Sequence, residues 1–253
     1  MSAVTIKNVI IGEGIPKICV PIVAKTKKEI LEDALDITNN RVDIVEWRVD
    51  WFESALDIEK VKDVLEELSS ILGQIPLLFT LRTAREGGVI GLDAETYLQI
   101  NQAVVATGYV DLIDVEVLTW DAIAPKIIES AHAAGVKVIG SSHQFDNTPS
   151  KEEMVNRMRS AQDLGADICK IAVMPQDEID VIKLLEATVI MRQKYAEKPL
   201  VTMSMAKTGV ISRVTGEIFG SALTFGTVKK ASAPGQIDTE RLYHILQEIH
   251  QII

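Results

Sequence analysis

Lys170 stands inside the run DICKIAV (residues 167–173), between Cys169 and Ile171. Such a run reads as a strand buried on both faces, where a cationic side chain is costly unless it is paired or neutral. A desolvated amine gives up its proton more readily and becomes a nucleophile near neutral pH, as imine formation with a ketone or aldehyde requires. An ion pair with Glu46, Asp114 or Glu116 is the other way to accommodate the residue. Lys17 and Lys137 differ because they start their runs and reach solvent at the opposite rim.

His143 ends the run KVIGSSH (137–143), next in the chain order of strands to Lys170. An imidazole with an ordinary pKa near 6.5 is suited to moving protons on the carbon beside an imine. Glu86, in a glycine-flanked loop, is placed to accept the other ring N–H, or else to face solvent. Arg48, Arg82 and Arg213 suit a hydroxylated carboxylic acid, since arginine makes forked contacts to carboxylates and donates to hydroxyls. Each is equally able to pair with a neighbouring acid. Glu46 shares the parity of Arg48, so both lie on one strand face, and Asp114 and Glu116 share parity in the same way. Met203, Met205 and Phe225 read as barrel packing that also lines a pocket. The stretch KKASAPGQ (229–236) holds small residues, proline and glycine after the last strand, the composition of a lid or of a plain connector.

These residues must be positioned by strands, and the chain supplies eight strand-then-helix units. The apolar runs cover residues 17–23, 43–49, 76–83, 109–117, 137–143, 167–173, 199–205 and 221–228. Amphipathic stretches follow each run. The patterns Thr26-x-x-Glu29 and Ser150-x-x-Glu153 open two of these helices as capping boxes. Alternation of this kind implies parallel strands with crossover helices. Eight units in 253 residues fit a closed (β/α)8 barrel, a single α/β domain over residues 1–253, with catalytic groups at the C-terminal strand ends. A doubly wound open sheet is the alternative, but no GxGxxG follows the first strand. Residues 4–14 alternate and carry glycines near a possible turn, so a hairpin closing the bottom of the barrel is expected.

Composition narrows the partners. Lys plus Arg number 26 against 36 Asp plus Glu, a net charge of −10 that leaves no basic face for nucleic acid or an anionic membrane. No apolar stretch is long enough to span a bilayer, and the N-terminus lacks the pattern of a signal peptide, so a cytoplasmic location is expected. Cys19 and Cys169 read as buried reduced thiols. Nothing has the spacing of a metal cluster. His132, His244 and His250 fall in helical stretches and read as solvated or packed.

Taken together, EWRVD (46–50), FTLRTAREGG (79–88), SSHQFDNTP (141–149), ADICKIAVMP (166–175) and the stretch from MSMAKTG through SRVTGEIFGSALTFG to SAPGQ resemble the type I 3-dehydroquinases over nearly the whole chain. The resemblance implies a (β/α)8 barrel, usually a homodimer, without metal or organic cofactor, that dehydrates 3-dehydroquinate in the shikimate pathway. It implies an imine on Lys170, His143 as proton acceptor and donor, and Glu86 orienting His143. Glu46, Arg48, Arg82, Arg213, Ser232 and Gln236 would hold the carboxylate and hydroxyls of the substrate. Pro21 stands where the family often has serine. An imine-forming aldolase barrel with a lysine on the same strand is the nearest rival, and a barrel that binds without catalysing is another.

Overall fold

The computed structural model describes residues 2–229 and 231–253. Its centre is a ring of parallel strands: β3 (Lys17–Ile22), β4 (Ile44–Arg48), β5 (Leu77–Thr80), β6 (Leu112–Glu116), β7 (Lys137–Gln144), β8 (Ile168–Val173), β9 (Leu200–Ser204) and β10 (Leu223–Thr227). They pair in chain order from β3 to β9, and β10 pairs with β3, so the sheet curls into the expected barrel rather than an open doubly wound sheet. The remaining seam, between β9 and β10, lacks a full ladder. A single bridge, Leu200 to Ser221, closes it, helped by the Ser221 hydroxyl accepting from the Thr202 amide at 3.0 Å. A two-residue strand β11 (Ile237–Asp238) adds to the outer side of β10.

Helices fill the crossovers: α1 (Lys27–Thr38), α2 (Ile58–Leu72), α3 (Ala94–Val105), α4 (Ala124–Ala133), α5 (Lys151–Asp163), α6 (Glu178–Lys194), the short α7 (Val210–Val214) and α8 (Gly216–Phe219), and α9 (Thr239–Ile252). Thr26 caps α1 in a reciprocal box with Glu29, and the Ser150 hydroxyl caps α5 by accepting from the Glu153 amide. One helix was expected after β9, but two short ones stand there. Gly220 (φ +113°) ends the second and turns the chain toward β10.

Alternation along each strand divides the interior into two cores. Outward side chains such as Trp47, Phe79, Ile113 and Ile171 pack with the helices. Inward ones form a floor with one residue from each strand: Cys19, Ile44, Leu78, Leu112, Ile139, Ile168, Val201 and Leu223. Beneath it lies the antiparallel hairpin β1 (Val4–Ile6) and β2 (Val9–Ile11), whose Val4, Ile6, Val9 and Ile11 are buried against the floor. The hairpin is where the sequence placed it, but its turn is not made by glycine. Lys7 adopts the left-handed conformation (φ +50°), while Gly12 and Gly14 come after the second strand. Among the described residues no helix is long and apolar enough to cross a membrane.

Candidate active site

Two residues above the floor on each strand, the inward positions turn polar. Glu46, Thr80, Asp114, Ser141 and Lys170 stand there with Met203 and Phe225, and Pro21 shares the inward parity of Cys19 on β3. The next tier holds Arg48, Arg82, Glu116, His143, Ala172 and Met205. Every acid and base of these two tiers is buried, and the His143 side chain is 9% exposed. Above them opens a small cavity at the C-terminal mouth of the barrel. All twelve residues singled out from the sequence line it: Glu46, Arg48, Arg82, Glu86, His143, Lys170, Met203, Met205, Arg213, Phe225, Ser232 and Gln236.

Lys170 is the buried lysine that the sequence required, and the acid beside it is Asp114. Its Nζ lies 2.9 Å from Asp114 Oδ2 and 4.7 Å from the centroid of the Phe225 ring. Asp114 also accepts from Arg82 at 2.7 Å and from the Ser141 hydroxyl at 2.6 Å. Burial works to neutralise Asp114, but the nearby Arg82 and Lys170 outweigh it and hold the carboxyl well below the usual carboxylate range.

His143 and Glu86 meet as expected. One oxygen of Glu86 lies 2.8 Å from His143 Nδ1 and accepts the backbone N–H of His143 at 2.9 Å. Thr119 donates to the other oxygen at 2.7 Å. With Nδ1 carrying the proton toward Glu86, Nε2 is left as the acceptor. Burial, reinforced by the charges of Arg82 and Lys170, pushes the imidazole well below its ordinary value. His143 is therefore neutral and able to receive a proton. Burial also raises Glu86 to about 7, against the pull of Arg82. The turn carrying Glu86 ends on Gly87 (φ +83°), where a Cβ would sit 2.2 Å from the Phe145 ring. Only glycine fits both the left-handed backbone and that contact.

The three arginines are not equivalent. Arg48 is clamped by Asp50 at 2.7 and 2.8 Å. Arg82 is shared among Asp114, Glu116 and, at 3.6 Å, Glu86. Arg213 alone of the three has no carboxylate partner among the described residues. It donates to the Pro234 carbonyl at 3.0 Å and approaches the Met203 sulfur at 4.0 Å, while its Nε has no partner among the described residues. Burial without a counter-ion lowers it to about 10. Arg48 and Arg82 thus already face carboxylates, whereas Arg213 has none beside it among the described residues.

Ser232 and Gln236 belong to the segment after β10 and bind each other. The Ser232 amide donates to Gln236 Oε1 at 2.9 Å, and Gln236 Nε2 donates to the Ser232 hydroxyl at 3.0 Å. Lys229, at the start of that segment, is paired with Asp33 and Asp36 of α1, and Lys230 lies outside the described residues. Thr80 donates to Glu46 at 2.8 Å. The supporting residues Asp50, Thr119, Ser141 and Phe145 were not singled out from the sequence, nor was Thr83, whose amide and hydroxyl donate to Glu116 at 2.7 and 2.6 Å. The signal for Asp50 was its spacing of two from Arg48, whereas the others come from different strands and loops that only the closed barrel brings together.

The fold and the cavity define a (β/α)8 barrel enzyme built around a buried lysine and a buried histidine–carboxylate pair at the C-terminal mouth. Residues 18–253 match the family model described as type I 3-dehydroquinase. The 3-dehydroquinate dehydratase of Listeria innocua is 51% identical over 251 residues, covering 99% of both chains. That of Clostridioides difficile is 52% identical over 250 residues, covering 99% of this chain and 98% of its own. A crystal structure of the type I 3-dehydroquinate dehydratase from Clostridium difficile, with covalent modified comenic acid, superposes with a TM-score of 0.96 and 51% identity over 100% of this chain and 99% of that one. The chain belongs to the type I 3-dehydroquinase family.

Proposed function

We propose that this enzyme dehydrates 3-dehydroquinate to 3-dehydroshikimate through an imine on Lys170, with His143 moving the protons. The observation that carries this reading is the shared cavity: a buried lysine amine and a buried neutral histidine open onto one small polar chamber. The covalent adduct described for the Clostridium difficile relative supports the same kind of capture here.

Each step balances with residues of this chain. Lys170 passes its extra proton to Nε2 of His143 and, neutral, attacks the ketone carbon; an amine proton shifts to the former ketone oxygen to give a carbinolamine. His143 returns the first proton to the carbinolamine hydroxyl, which leaves as water, and a protonated imine, C=N⁺, remains. That charge acidifies the neighbouring C–H, and Nε2 of His143 takes the proton as the electrons move into an enamine. The enamine then expels the β-hydroxyl, which leaves as water with the proton returned by His143. Attack of water on the conjugated imine releases the product and restores Lys170. Glu86 keeps the ring in the tautomer with Nε2 free. Arg213, the buried guanidinium with no acidic partner among the described residues, takes the substrate carboxylate, and Arg48, Arg82, Glu46, Ser232 and Gln236 take the hydroxyls. A homodimer in the cytoplasm accompanies this reading on family grounds.

The test is reduction with borohydride in the presence of 3-dehydroquinate, followed by peptide mass mapping. A mass increase on Lys170, with a near-ultraviolet enone in the unreduced reaction, is expected. Lys170→Ala abolishes both. His143→Ala still forms the adduct but stalls there, and near-normal turnover in that variant overturns the proton-transfer role.

A further inference from the structure

We propose that Asp114 is a positioning residue for this reaction, a fixed counter-charge that holds the Lys170 nitrogen in its two cationic forms, the resting ammonium and the protonated imine. The inference rests on the imine reading above and goes beyond it by naming the group that governs when that nitrogen is charged.

The geometry singles out Asp114 among the four buried acids of the site. Only its carboxylate lies against the amine, at 2.9 Å, and its side chain is fully buried. The other charged and titratable groups around it come from every neighbouring strand: Arg82 after β5, Glu116 on β6, His143 on β7, Glu86 in the turn after β5 and Glu46 on β4. Arg82 and the Ser141 hydroxyl occupy the opposite oxygen, at 2.7 and 2.6 Å. With these donors in place Asp114 stays an anion across the acid range, as its lowered pKa also indicates. An acid that remains ionised there does not take the lysine proton, so acid–base exchange is left to His143.

A fixed anion beside that nitrogen has two consequences. It keeps the amine in one place against the Phe225 ring, which aims the nitrogen at the incoming carbonyl. It also faces the positive charge created when the C=N⁺ bond forms, in a chamber where such an interaction is strong and the partner needs no reorientation.

Asp114→Asn removes the charge and keeps the shape. We expect kcat to fall about 100-fold, as for loss of one preorganised electrostatic group, with KM changed less than about threefold because Asp114 is assigned no contact with the substrate carboxylate. The pH at which borohydride captures half-maximal adduct on Lys170 should move down by about one unit, since the cationic imine has lost its counter-ion. Asp114→Glu, which restores the charge, should return that midpoint toward the wild-type value. A fall in kcat with the midpoint unmoved assigns Asp114 a merely structural part and overturns the proposal, as does unchanged kcat. If the Asn variant does not fold, Ser141→Ala decides. It leaves both ions and deprives the carboxylate of one donor, so the anion leans harder on the lysine nitrogen and the midpoint should rise by about half a unit. A midpoint that stays still in that variant overturns the proposal. Failure of the imine reading itself looks different: the wild-type protein then shows no added mass on Lys170 at any pH.

Discussion

At the scale of single residues, Arg213 shows most sharply how function is held against stability. A guanidinium buried without an anion is costly, and among the described residues Arg213 meets a carbonyl and a thioether but no carboxylate. Replacing it by methionine removes that cost while keeping an unbranched chain. Arg213→Met should therefore melt no lower than wild type in a thermal scan, while KM rises about 100-fold through loss of charge-assisted bonds worth about 3 kcal/mol. A variant with unchanged KM would move the carboxylate elsewhere. Glu86 makes a second prediction, in which the sign follows from its shift. Its folded pKa is raised to about 7 from 4.5, so the folded state holds the proton more tightly than the unfolded chain. The resulting stability is complete below about pH 4.5 and lost as pH rises through 7. Glutamine cannot ionise. The melting temperature of Glu86→Gln relative to wild type should thus increase between pH 5 and pH 8, whatever the offset at pH 5. A difference flat in pH would mean that the carboxylate is ionised throughout.

At the scale of elements, the strands were readable because a strand buried on both faces is a short apolar run, and the helices because amphipathic stretches follow each run, two of them opened by the caps Thr26 and Ser150; the caps Asp57, Asp93, Asp177 and Asp238 show only in the structure. The polar residues that interrupt those runs were readable as site candidates for the same reason, since an unpaired charge has no place in such a strand. The partners were not. Asp114 was one of three acids able to meet Lys170, and the choice depends on strand stagger around the ring, which no local pattern records. The seam between β9 and β10 escaped as well. Its run begins at Ser221, yet Ser221 contributes a side chain where a ladder would have contributed backbone, and the strand starts two residues later. The turn of the N-terminal hairpin was misread because glycine is the usual left-handed residue, and here Lys7 takes that conformation while its amine is tied to Asp111 at 2.9 Å.

At the scale of the whole molecule, the barrel has a chemical end and a structural end, separated by the apolar floor. The hairpin belongs to the structural end. Ile11 is fully buried beneath the floor, with Val4, Ile6 and Val9 nearly so, and the segment is pinned by the Ser2 amide donating to the Glu197 carbonyl at 2.8 Å and by Lys7 on Asp111. None of its residues lines the upper cavity. Truncating Ile11 to alanine should cost about 2–5 kcal/mol, the usual range for a cavity left in a core. In a chain of this length each kcal/mol lowers the melting temperature by about 2–4 °C. The initial rate at 25 °C, where the variant remains folded, should match wild type in both kcat and KM, because the eight floor residues stand between the new cavity and Lys170. Thermal melts read beside initial rates check this. A variant that loses kcat while still fully folded would show that strain in the hairpin crosses the floor, and the division of the barrel into two independent ends would have to be given up.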